Sequence, residues 1–252
     1  MSKGRIQVNV FYQNELGGQG ESFDQLLKGN VHFMMEWPMT AYDRRLAIGF
    51  VPYLVLDWED AISAFETGGW LLELMAPIYE ENRLKFLGPY PEGFGGIATR
   101  GRFATSARDA GGIKVRSQTI FPLPQTVRAM GFEAVPIDWS EVYTSIQTGV
   151  VDGDSGNVIY WDYQYFGDIL DYYVHSRQNF LMNCSSKTVG AVNSLPEIPK
   201  FPKVAPPAPP APPARSGKDF PSKWKSYYNM KAKCLRKYLR AKRFFVKFFK
   251  IL

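Results

Sequence analysis

Trp139-Ser-Glu-Val-Tyr-Thr-Ser-Ile-Gln-Thr-Gly-Val-Val-Asp-Gly153 decides how the rest of the chain reads. Residues 140–147 have helical spacing. Glu141 lies in the first turn, where the helix dipole favours an acid, and Gly149 lies past the end, where a left-handed residue closes a helix. Upstream, Ala134-Val-Pro-Ile137 predicts a strand, and 124–130 predicts a helix stopped by Gly131. Downstream, 158–170 is strongly aromatic and predicts another helix. Strands and helices alternating at this pitch predict an α/β fold.

Working outward, Arg5-Ile-Gln-Val-Asn-Val-Phe-Tyr12 alternates polar and apolar residues and predicts a strand. Residues 20–28 predict a helix with Phe23, Leu26 and Leu27 on one face and Gly29 as its stop. Residues 31–35 predict a buried strand, so the start reads strand, helix, strand, with a parallel pairing across the helix. Asp57 is placed to cap a helix over 58–67, and a second helix follows over 71–82. Further strands are predicted at 84–87, 95–99, 172–175 and 179–183, with Ala110-Gly-Gly-Ile-Lys-Val-Arg116 as a turn entering a strand.

A hydrophobic content of 45% with 15% aromatics suffices for a packed core. The only cysteines, Cys184 and Cys234, exclude a disulfide framework and a cysteine-rich zinc site. His32 and His175 have no metal-ligand spacing, so neither a metal nor a cofactor is expected. Charge is segregated: residues 216–252 carry 12 Lys and Arg against Asp219 alone, whereas 1–215 are net acidic. The part expected to fold therefore lacks the basic groove of a nucleic-acid binder. No spacing matches a nucleophile elbow, a phosphate loop or a paired-carboxylate site, so no enzyme is expected. From residue 196 the chain turns Pro- and Ala-rich, including Ala205-Pro-Pro-Ala-Pro-Pro-Ala-Pro-Pro213, the composition of an extended spacer. Beyond it, 224–252 has the spacing of a basic amphipathic helix, either an out-of-frame sequence or a segment for anionic membranes. No run approaches the roughly 18 apolar residues of a membrane span. No export leader precedes Arg5, which leaves a cytoplasmic chain or a missing N-terminus.

Four stretches together resemble the DctP-type solute-binding proteins of tripartite ATP-independent periplasmic (TRAP) transporters. They are Val8-Asn-Val-Phe-Tyr-Gln-Asn-Glu-Leu-Gly-Gly18 with Gln25-Leu-Leu-Lys-Gly29, Val51-Pro-Tyr-Leu-Val-Leu-Asp-Trp-Glu-Asp-Ala61, Gly112-Ile-Lys-Val-Arg116, and the stretch 139–153. The resemblance covers about 5–196 and implies an incomplete two-lobed periplasmic-binding-protein-like α/β fold. Lobe I would take residues 1–93, lobe II 94–182 and a return strand or hinge 183–195. The Pro-rich linker then takes 196–215 and the basic tail 216–252. It further implies periplasmic capture of a small organic acid for transport by the membrane subunits of a TRAP system. A fragment or fusion product of such a protein and a membrane-surface protein acting through the tail are the alternatives.

The resemblance also implies a site. The family's Arg at the position of Arg116 pairs with the ligand carboxylate, a role suited to a planar guanidinium that stays charged in a cleft. An Arg can equally serve a structural ion pair. Relatives carry a ligand-contacting Asn where Gly156 falls here, with Asn157 one residue later, so Asn157 either faces the ligand or caps the next helix. Trp161, with Tyr160, either walls the ligand or packs the core. Gln19 and Trp37 fall where acid-sugar-binding relatives place acidic contacts, so that specificity is not expected. Arg100 and Arg102 are candidates for a second positive group.

Overall fold

A computed structural model describes residues 7–12, 15–66 and 68–188, with the backbone of 225–227. The chain builds two α/β units on two separate sheets. In the first, α1 (Gln19–Lys28) buries Phe23 and Leu26 and ends at Gly29, whose left-handed backbone returns its N–H to the carbonyls of Gln25 and Leu26. α2 (Trp58–Phe65) starts where the Asp57 carboxylate accepts the Asp60 N–H at 2.9 Å. α3 (Trp70–Glu81) presents Leu71, Met75, Ile78 and Tyr79 to the same core. These helices cover a sheet of β1 (Phe33–Glu36), β8 (Phe180–Thr188) and β2 (Leu84–Phe94), in the order β1-β8-β2 and antiparallel throughout.

Three expectations are corrected here. Residues 7–12 form no strand: Val8 is 74% and Phe11 56% exposed, and alternation without a neighbouring ladder leaves a strand nothing to bond. Residues 5 and 6 lie outside the described part. β1 is an edge strand with Phe33 52% exposed, and its pairing with β8 is antiparallel, so the predicted parallel strand-helix-strand unit does not form. β2 continues through Pro89 and Pro91, well past the predicted 84–87. An edge strand can spare N–H groups on its open side, and irregularities at Phe86/Gly88 and Pro91/Gly93 absorb the misfit.

The second unit is a sheet in the order β5-β4-β6-β3-β7-β9. Its strands are β3 (Ile97–Thr99), β4 (Lys114–Ser117), β5 (Glu133–Pro136), β6 (Gly153–Ser155), β7 (Tyr172–Val174) and β9 (Lys225–Tyr227). β4 runs parallel to both β5 and β6, whereas β3 is antiparallel to β6 and β7. α4 (Leu123–Ala129), α5 (Val142–Gln147) and α6 (Ile159–Phe166) pack on it, burying Val127, Val142, Ile146 and Phe166. The backbone at 225–227 is a strand parallel to β7, where a helix is predicted. The predicted Pro-rich linker and the rest of the basic tail lie outside the described residues.

The chain passes between the sheets at Gly95-Gly96 and again at 175–179. The crossings bond to each other and to their surroundings: Gly95 N–H to the Asn179 carbonyl and Gly96 N–H to the Asn157 carbonyl, both 2.9 Å. The Asn179 amide donates to the Phe50 carbonyl at 2.7 Å. A β-carbon at Gly96 would sit 2.4 Å from the buried Tyr173 ring, so only glycine lets the strap lie flat there.

Two glycine substitutions separate packing from backbone entropy. A β-carbon at Gly153 would fall 1.9 Å from the Ala98 carbonyl, between β6 and β3. Gly153→Ala is expected to lower stability in urea unfolding by at least about 1–3 kcal/mol. Gly20, inside α1, has open space at that position. Gly20→Ala is expected to raise stability by roughly 0.5–1 kcal/mol.

Candidate functional site

β4 and β6 carry the chemistry of the second unit. Their register pairs Arg116 with Asp154. Arg116 is only 4% exposed; its Nε donates to the Ile137 carbonyl at 2.8 Å and its Nη1 pairs with Asp154 at 3.3 Å. The guanidinium also lies 5.7 Å from the Trp139 ring centroid. The expected picture of an open cation in a crevice is corrected to this extent: the group is enclosed and already holds a protein acid. The reason is local, because a residue flanked on both sides by parallel strands points into a packed face. Its remaining N–H donors, including both on Nη2, have no hydrogen-bond partner among the described residues.

Asp154 is one of two wholly buried carboxylates among the described residues. Asn157 donates through one amide nitrogen to Asp154 and, at 3.0 Å, to Asp162 on α6. One guanidinium cannot neutralise two buried acids. Burial, followed by the charge of Asp154, holds the Asp162 carboxyl well above the ordinary carboxylate range, and burial raises Asp154 as well. A proton shared between them leaves one net negative charge for Arg116. It also gives the otherwise unpartnered Oδ2 of Asp162 a role as donor to Asp154.

Arg116, Gly156 and Asn157 come together in the structure. Asn157 turns its amide inward to the acid pair, and its carbonyl accepts from the Tyr173 hydroxyl at 2.8 Å. Gly156 holds a left-handed backbone (φ 87°) and returns its N–H to the Gly96 carbonyl at 2.9 Å. Trp161 is half-buried on α6, 4.9 Å from Tyr160 and 5.9 Å from Tyr165, which meets Trp139 edge-on. Gln19 and Trp37 belong to the first unit. There the Gln19 amide and the Trp37 N–H both donate to Glu36 at 2.7 Å. Trp37 packs on Phe50 with Ile120 and Leu123, so it meets the loop that leaves β4. Arg100 and Arg102 are exposed, and Arg102 donates to the Gly112 carbonyl at 2.7 Å, away from the acid pair.

Five polar groups lie outside the sequence-based expectations: Asp154, Asp162, Gln118, Glu36 and Glu92. Asp162 is the one acid in the aromatic run of α6, which is a usable signal for a buried carboxylate. Glu36 and Glu92 lie close enough to repel, and burial raises both. Asn183 donates to Glu92, and Trp37 lies beside it.

Two α/β units joined by paired crossings, with polar groups gathered at the carboxyl ends of parallel strands, form the setting in which open α/β sheets hold small solutes. A family profile described as bacterial extracellular solute-binding protein, family 7 (DctP), matches residues 1–189, and the chain belongs to that family. It is 31% identical over 157 residues to the ectoine-binding periplasmic protein TeaA of Halomonas elongata, covering 61% of this chain and 46% of TeaA. The structure of that protein, from the TeaABC TRAP transporter, superposes with a TM-score of 0.66 at 25% identity, over 73% of this chain and 60% of that one. A TRAP periplasmic solute-binding protein from Chromohalobacter salexigens with bound D-glucuronate gives 0.69 at 25% identity, over 78% and 65%. The chain spans about half the length of the curated relatives it matches.

The raised Asp162 carboxyl fixes a pH dependence. An acid whose folded pKa exceeds its ordinary value of 3.8 contributes fully below that value and loses the contribution as pH rises through the folded pKa. Asn mimics the protonated acid. Asp162→Asn is therefore expected to melt higher than the parent at about pH 8, with the gap closing towards about pH 4. Thermal melts across that range check it. Glu36 and Glu92 act in the same direction and leave a residual slope in the variant.

Proposed function

We propose that this chain captures a small organic carboxylate outside the cytoplasm and presents it to the membrane subunits of a TRAP-type transporter. The observation that carries the reading is Arg116. A guanidinium at the end of β4, with Nε and Nη1 fixed by protein and Nη2 uncommitted, is a pre-oriented fork for a carboxylate. Membership of the DctP family supports transport as the context. The relatives named above bind ectoine and D-glucuronate, two carboxylates of different shape, which supports the chemical class without choosing its member.

In this reading residues 1–93 form lobe I and 94–182 lobe II, and the ligand lies at the seam that Trp37 and Phe50 share with Ile120 and Leu123. Asn157 and Gly156 shape the floor beside Arg116, and Trp161 extends the aromatic wall begun by Trp139 and Tyr165. Gln19 and Trp37 face the ligand from the other side, oriented by Glu36.

Calorimetric titration with ectoine, D-glucuronate and succinate tests the reading. Saturable 1:1 binding of one acid is expected, and Arg116→Ala is expected to weaken it by at least about 1.5–3 kcal/mol. Since Arg116→Ala leaves Asp154 buried without its partner, Arg116→Lys serves as the second variant. It keeps the charge but not the fork, so weakened binding with a melting temperature near that of the parent is expected. Undiminished binding in both variants overturns the assignment of Arg116.

A further inference from the structure

We propose that Gln118 is a specificity-determining ligand contact that reads a side-by-side N–H and C=O on the bound acid, the pattern of a lactam or cyclic ureide. The proposal rests on the carboxylate-binding reading of the same site.

Gln118 is 4% exposed, yet both its Oε1 and its Nε2 lack a hydrogen-bond partner. Burying a carboxamide with neither end satisfied is costly, and such a group calls for an external partner. Among the described residues, Gln118 is the only side chain with two separate polar atoms, one donating and one accepting, left open in this way. The other unpartnered atoms are acceptors or a hydroxyl, and the Asp162 oxygen is accounted for by a shared proton.

The position connects it to the site. Gln118 lies two residues beyond Arg116, immediately past the end of β4. Alternation along an extended chain puts both side chains on one face. The register that pairs Arg116 with Asp154 continues to Gln118 opposite Gly156. The geometry agrees, because a β-carbon built on Gly156 would lie 2.8 Å from Gln118 Oε1 and 3.0 Å from Nε2. The carboxamide therefore lies over the bare Cα of Gly156, in space no other residue at 156 would leave. On one face of two parallel strands the order is the Arg116–Asp154 pair, then the open carboxamide. Ile120 and Leu123, just downstream, lead to the seam with Trp37 and Phe50.

A carboxamide presents one acceptor and one donor about 2 Å apart in a plane, and its complement is another planar donor–acceptor pair. A hydroxyl satisfies one end at a time, and a second carboxylate would repel Oε1. The ligand class is thus a compact acid whose carboxylate engages Arg116 and whose ring amide engages Gln118.

Four probes on the full chain test this by calorimetry: 2-pyrrolidone-5-carboxylate and orotate, which carry a ring amide, against cyclopentanecarboxylate and benzoate, which do not. The parent is expected to prefer a ring-amide acid by roughly tenfold or more. Gln118→Leu is expected to abolish that preference while retaining carbocyclic acid binding. An unpartnered amide contributes nothing to the free protein, so Gln118→Leu is expected to melt at or above the parent. A parent that binds both classes alike, a Gln118→Leu variant that keeps the preference, or a fall in its melting temperature overturns the role of Gln118 and leaves Arg116 untouched. Failure of the parent to bind any acid, including those titrated for Arg116, removes the carboxylate reading itself and this inference with it.

Discussion

One cation and two carboxylates share a volume from which water is excluded, and the second unit is arranged around that constraint. Arg116, Asp154 and Asp162 are the only charged side chains buried among the described residues. Separately, each would be expelled or neutralised. Together they survive because Asn157 bridges the acids, Ile137 offers a carbonyl to the guanidinium, and the protons redistribute. The pairing also fixes the strands, since Arg116 and Asp154 can meet only if β4 and β6 keep their register. Ser155 reinforces this by donating to the Arg116 carbonyl at 2.6 Å.

The enclosed ion pair and the ligand contact proposed for Arg116 are compatible in one side chain. A structural ion pair and a ligand contact look like rival roles for one side chain, but a guanidinium has more donors than one carboxylate can occupy. Asp154 holds one arm, which leaves Nη2 for the proposed ligand. A free Arg on a flexible stem would have to be ordered at the moment of capture, at a cost in side-chain entropy. Here the ordering is completed when the protein folds.

Much of the fold was legible because local chemistry and final packing agree. Gly29, Asp57 and Gly149 mark helix ends in the sequence for the same reason they do so in space: each satisfies backbone groups a helix leaves open. Disagreements arise where a neighbour far along the chain decides. The alternation at 7–12 has the pattern of a strand but no ladder among the described residues. β6 is the converse: no strand is predicted at Gly153-Asp-Ser155, yet it is a central strand, because its polar side chains are buried against partners about 40 residues away. Arg116 could be singled out through its motif. Asp162 offers only its isolation in an aromatic run, and Gln118 offers nothing, because a carboxamide has no special meaning until the fold buries it and withholds a partner.

The two crossings between the sheets behave as a mechanical part. Each strap is short, and they are laced together through Gly95 and Asn179 and anchored through Gln178 to Gly96 and to Tyr53. Tyr53 and Arg177 both hold left-handed backbones close to this lacing, with the Arg177 guanidinium seated 4.1 Å over the Phe94 ring. Two straps fastened side by side bend readily in the direction that flexes both, and stiffly in any direction that would shear one past the other. For the capture proposed above, this paired joint is the place where bending between the two units would fall.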